Sequence, residues 1–218
     1  MENMFGHFRI NWSKLSNMHK AVGVAGLALL FVYLVIAFFW GGFRTVLFRG
    51  LWLPISFLAR ISMIFALIPL YLNWLSSDYF QERKGTSYKN AITNGFTGLW
   101  VCVEWVRVSI MVYMEQAGFL LLLGKLFMSL LILIYAVIII KKSWRGERIT
   151  HIIGRAREIS YIAIMITPIM YNVAEFSFVT ILAIIMLFPV FYGVVEFIDF
   201  TILPPPAYEK KRKSRKLF

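Results

Sequence analysis

Long uninterrupted apolar runs dominate this chain, with neither strand-like alternation nor a narrow amphipathic stripe. A hydrocarbon core of about 30 Å is crossed by roughly 20 apolar residues in a helix. Read on that scale, the runs predict spans over residues 21–40, 51–75, 91–114, 117–140, 159–174 and 178–200. The second run carries Pro54, Arg60 and Pro69, and the third carries Glu104 and Arg107. Only Glu115 and Gln116 separate the third run from the fourth, which predicts a tight helical hairpin. The fifth run is short, and Pro204, Pro205 and Pro206 stop the sixth. The expected fold class is therefore all-α: a polytopic membrane helix bundle over residues 1–203, followed by a basic tail over 204–218.

Composition agrees with this pattern. Hydrophobic residues make up 60% of the 218 and charged residues only 16%, against about 25% charged in soluble domains. The first run ends in Phe38, Phe39 and Trp40, without the small residues of a signal cleavage site. A lone cysteine, Cys102, rules out an internal disulfide.

The net charge of +12 would suit nucleic acid, but its distribution points elsewhere. Eighteen of the 23 Lys and Arg residues fall before residue 21, in 76–90, in 141–158 and after residue 206. These stretches flank the apolar runs on one side of a six-span chain. Basic residues in short loops stay cytoplasmic on insertion, so the expected topology is N-in, C-in. The opposite side holds Arg44 and Arg49, with acidic turns at Glu115 and Glu175. Trp40, Trp52, Trp74 and Trp144 lie near run ends, where amphipathic rings favour the headgroup zone. The expected surroundings are the bilayer with its anionic phospholipids, other membrane subunits and no nucleic acid. A bacterial inner membrane is the expected site.

Arg60, Glu104, Arg107 and Lys125 are the charges placed inside the runs. A charge at mid-helix costs about 2.5–3.5 kcal/mol on insertion scales, so it turns toward protein or water. Counting along the expected helices puts all four in one layer in the outer half of the bilayer. Asn94, Thr97, Glu104 and Arg107 share a helical stripe, and Lys125 with Ser129 and Ser56 with Arg60 repeat at i,i+4. Three readings follow: an ion-pair network locking helices together, a wet cavity whose surplus positive charge takes an anion, a headgroup or a partner's acidic residue, or charges that snorkel or contact a partner subunit.

Lys141, Lys142, Arg145, Arg148, Arg155 and Arg157 form a second candidate surface, for anionic lipid or a partner, beside their role as topology signals. Pro205, Pro206 and Tyr208 fit a PPxY pattern of the kind WW domains take. Glu196 and Asp199 lie near the inner end of the last run.

Catalytic signatures are missing. His7, His19 and His151 all fall outside the expected spans, so neither a Ser–His dyad nor a histidine-held haem is expected there. No HExxH pair, P-loop or dinucleotide fingerprint occurs, and only two aspartates, Asp78 and Asp199, are available. No catalytic residue, metal or cofactor is therefore expected. The expected role is a non-enzymatic integral subunit of a larger membrane complex of secretion, conjugation or energy-transducing type. Its rivals are a small anion channel or transporter using the charged layer, and a lipid-handling membrane protein.

Overall fold

The computed structural model describes residues 12–76, 86–116 and 118–198, and every element among them is helical. In order these are α1 (Trp12–Phe39), α2 (Gly41–Trp52), a 3-10 segment (Leu53–Ala59), α3 (Ile61–Ser76), α4 (Tyr88–Gln116), α5 (Phe119–Trp144), α6 (Thr150–Ile153), α7 (Ala156–Met170) and α8 (Phe178–Phe197). Four stretches are long and apolar enough to cross a membrane: Asn17–Phe39, Tyr88–Met114, Phe119–Trp144 and Phe178–Phe197. They mark an integral, multi-pass membrane protein. Asp78, Asp199, Pro205, Pro206, Tyr208 and the basic tail lie outside the described residues.

The runs expected at 51–75 and 159–174 take a different form. The first is broken. Its start belongs to α2, its middle is the 3-10 segment, Arg60 is non-helical, and α3 follows. Pro54 supplies a local cause, because it has no N–H with which to continue the hydrogen-bond ladder of α2. Tyr71 of α3 donates its hydroxyl to the Pro54 carbonyl, which holds the break against the next helix. The start, α2, reaches back over 41–50, a stretch expected as a loop. Phe43, Leu47 and Gly50 are buried at helical spacing, while Arg44, Thr45 and Phe48 face outward.

The other run becomes α7, which ends at Met170 rather than running to residue 174. At 1.5 Å per residue its 15 residues cover about 22 Å, short of the ~30 Å hydrocarbon core. Except for Glu158 and Ile162, which are half-buried, every residue of α7 is buried. Met63, Leu67 and Leu70 of α3 and Val101, Trp105 and Val108 of α4 close around Ala163, Ile164, Ile166 and Met170. The indole N–H of Trp105 donates to Thr167 Oγ1 at 3.0 Å, and Tyr161 donates to the Ile184 carbonyl of α8 at 2.5 Å.

The chain divides into two compact units. One holds α1 and the C-terminal half of α8. Within it a Cβ added at Gly26 would run into the backbone of Gly193, so the two helices touch main chain to main chain. His19, expected outside the spans, lies on α1, and its Nδ1 sits 3.1 Å from Glu196 Oε2. The other unit, Trp40–Leu187, contains α2 to α7 and the start of α8, and it holds all four charges of the expected layer.

Candidate functional site

The site is organised by the C-terminus of α7. Tyr171 caps the helix and Asn172 adopts a left-handed conformation with φ of 54°. Asparagine is the residue besides glycine that accepts this geometry at the position after a cap. The Val173 N–H donates to the Pro168 carbonyl at 2.9 Å, and the Asn172 N–H to the Ile169 carbonyl at 3.2 Å. That pair of bonds is a Schellman motif. The Tyr171 N–H takes the Thr167 carbonyl at 3.1 Å.

The carbonyls of Met170 and Tyr171 remain, at the negative end of the helix. Lys125 of α5 donates its ammonium to the Met170 carbonyl at 3.1 Å and also to Asn172 Oδ1. Arg60 donates Nη1 to the Tyr171 carbonyl at 2.8 Å. Both cations therefore complete the terminus of a helix that stops short. The Tyr171 hydroxyl donates to Glu104 Oε1 at 2.8 Å. Glu104 in turn holds Arg107 through two bonds, from Nη2 at 2.6 Å and from Nε at 2.8 Å.

All four expected charges thus gather around Met170, Tyr171 and Asn172, in two different settings. Lys125 is 1% exposed and sealed. Arg60, Glu104 and Arg107 line a groove of about 850 Å³ between α3 and α4, floored by Thr167 and Tyr171 of α7. Both α3 and α4 pack on α7, which spreads them and leaves the space. Ala66, Pro69 and Leu70 form one wall, and Trp100, Val101 and Val108 the other, with Met111 and Val112 beyond them. The Arg107 side chain is 55% exposed, and its Nη1 donates to the Met111 thioether at 3.1 Å. No carboxylate among the described residues pairs with Arg60, which is exposed. Two guanidinium groups therefore stand against one carboxylate.

The remaining stripe residues have structural partners. Asn94 is buried and donates to the Gly154 carbonyl at 2.9 Å. Thr97 lines the groove but spends its hydroxyl on the Thr93 carbonyl. Ser129 returns its hydroxyl to the Lys125 carbonyl, and Ser56 to that of Leu53.

In the basic segment, Lys141, Arg145 and Arg148 are exposed, and Lys142 pairs with Glu147 at 2.6 Å. Arg155 precedes α7, and Arg157, at 1% exposed, is turned inward rather than toward lipid. Arg49 bonds Glu175 Oε2 at 3.2 Å, Ser177 Oγ at 2.8 Å and Thr180 Oγ1 at 3.1 Å. That triad ties α2 to the turn before α8. Among the described residues, no three His, Cys, Asp or Glu side chains come together as a metal site would need.

Tyr171 and Asn172, the hub, are not singled out by the sequence pattern, although an Asn just past a short apolar helix is a stop signal. Trp100 and Asn73 of the groove carry no mark either, because nothing in their spacing separates a groove-lining residue from a lipid-facing one. Comparison with known protein families, with curated proteins and with solved structures finds no match.

Proposed function

We propose that this protein is a non-enzymatic, multi-pass membrane protein whose working site is the α3–α4 groove, and that the groove binds an anionic group. The observation that carries this reading is the exposed Arg60 guanidinium, fixed by a neutral carbonyl and facing a cavity in which Arg107 already consumes the nearby carboxylate. Charge at membrane depth is tolerated where it serves a site or is neutralised, and no carboxylate among the described residues neutralises Arg60. In this reading the chain crosses the membrane six times with both ends cytoplasmic. The long helices cross fully, while α3 and α7 cross as partial helices, of which α7 is enclosed by protein. Irregular backbone at membrane depth is acceptable where protein or a wet cavity surrounds it, which fits Arg60 and Tyr171.

Thermal unfolding in a neutral maltoside detergent, with inorganic phosphate or oleate added, tests the reading. Binding to the folded state raises the midpoint as concentration passes the dissociation constant. Wild type is expected to gain stability with at least one of the two anions. Arg60→Gln loses the gain, and Glu104→Gln, which frees Arg107, increases it. No Arg60-dependent shift with either anion would refute the reading.

A second reading is a subunit of a larger membrane assembly in a bacterial inner membrane. It is favoured by the exposed Lys141, Arg145 and Arg148 and by the largely uncovered apolar surface of α1 and α5. Migration as a lone species after mild extraction from native membranes would argue against it.

A further inference from the structure

Resting on the anion-binding reading, we infer that the ligand of the α3–α4 groove is an anionic membrane lipid, its phosphate or carboxylate on Arg60 and its acyl chain along the groove. Charge and shape point to the same class. At one level the groove presents Arg60, Tyr171, the Glu104 carboxylate already held by Tyr171 and Arg107, and the exposed edge of Arg107. Away from that level its walls are apolar and aromatic, with Leu70 and Pro69 facing Trp100 and Val101. A small inorganic ion would use the guanidinium groups and leave those walls wet. An amphiphile uses both, because each buried methylene adds favourable transfer energy.

The polar groups further along the groove do not oppose a chain. Thr97 already donates to the Thr93 carbonyl at 3.2 Å, and Asn73 has partners within the protein. The volume, about 850 Å³, lies in the range of pockets that enclose ligands of drug size, about 300–1,000 Å³. That accommodates a headgroup and part of a chain, the rest running out between α3 and α4 into the bilayer. A partner helix, about 10 Å across with its side chains, needs about twice this space over the stretch of α4 from Thr97 to Val112 that lines the groove. Charge selects among lipids: a zwitterionic headgroup brings a cation back beside Arg60 and Arg107, whereas a net anion offsets their surplus.

The test is native mass spectrometry of the full chain released from nanodiscs of phosphatidylglycerol, of phosphatidylcholine, or of phosphatidylcholine with inorganic phosphate in the buffer. The expected result is one retained phosphatidylglycerol per chain, at least tenfold over phosphatidylcholine. Arg60→Gln abolishes the preference. Ala66→Phe, which fills a wall and keeps Arg60, also abolishes lipid retention, while leaving any phosphate-induced thermal shift intact. Arg60→Lys keeps the charge and retains part of the preference, which separates loss of binding from loss of fold.

An Arg60-dependent phosphate shift with no lipid preference overturns the lipid assignment and leaves the anion groove standing. Arg60-dependent retention of a second membrane protein in place of lipid overturns it in favour of a partner. Absence of any Arg60-dependent ligand overturns both.

Discussion

Lys125 and Arg60 perform the same electrostatic task at the end of α7, yet they sit in opposite surroundings. Lys125 is sealed, with both its acceptors, the Met170 carbonyl and Asn172 Oδ1, supplied by the chain. Arg60 is exposed, has one neutral acceptor, and faces a groove. A compact ammonium has three donors and can be used up by two or three acceptors. A guanidinium has five, so a single carbonyl leaves most of its fork available. The comparison separates a cation spent on structure from one with capacity left for a ligand, although sequence gives them the same description: a basic residue inside an apolar run.

Substitutions can break that contrast. Lys125→Met should have the largest effect on folding, because it strands the buried Met170 carbonyl and removes the ammonium bound to Asn172 Oδ1. Hydrogen bonds from a charged donor contribute about 1.5–3 kcal/mol, and a loss of that size should appear in thermal or steric-trapping measurements in detergent. A change near zero would remove Lys125 from the α7 terminus as a structural element.

Asn172→Ala should cost about 1–2 kcal/mol for the left-handed backbone, plus the lost acceptor for Lys125. Asn172→Gly keeps the backbone relaxed and loses only the acceptor. Alanine should therefore be the worse of the two, and equal losses would mean that the backbone geometry is not what asparagine supplies.

Trp105→Phe, at the floor of the groove, removes one buried hydrogen bond to Thr167. About 1 kcal/mol is expected, since interhelical bonds in membranes average below that and reach about 1.7 kcal/mol. Thr167→Val should give a similar loss, and the double substitution less than the sum. The smallest stability effect belongs to Arg60→Gln, about 0.5–1 kcal/mol, because Arg60 is exposed and a single hydrogen bond, to the Tyr171 carbonyl, is lost. Its expected consequence is lost ligand retention. If Arg60→Gln unfolded the protein as Lys125→Met is expected to, the contrast between the two cations would collapse.

Much of the architecture was legible in the residues. The runs at 91–114 and 117–140 appear within α4 and α5, because helices of roughly 20 apolar residues need nothing beyond lipid to specify them. The runs at 51–75 and 159–174 were less legible. Hydropathy registers length and apolarity, whereas Pro54 and Asn172 act on single backbone positions within an apolar stretch. The helix over 41–52 was readable from the spacing of Phe43, Leu47 and Gly50, but twin glycines at 41 and 42 argue for a turn in isolation.

What the sequence determined by itself was the solvent: a chain this apolar, with its charges rationed, belongs in a bilayer and must close its backbone bonds as helices. Only tertiary structure decided what each rationed charge is for. Lys125 and Arg60 have the same sign and similar flanks, and their roles diverge because α5 brings one against Asn172 while α3 and α4, spread apart by α7, leave the other open. That distinction depends on which carbonyls a helix leaves unpaired where it stops, and on what packs beside them, neither of which is encoded locally.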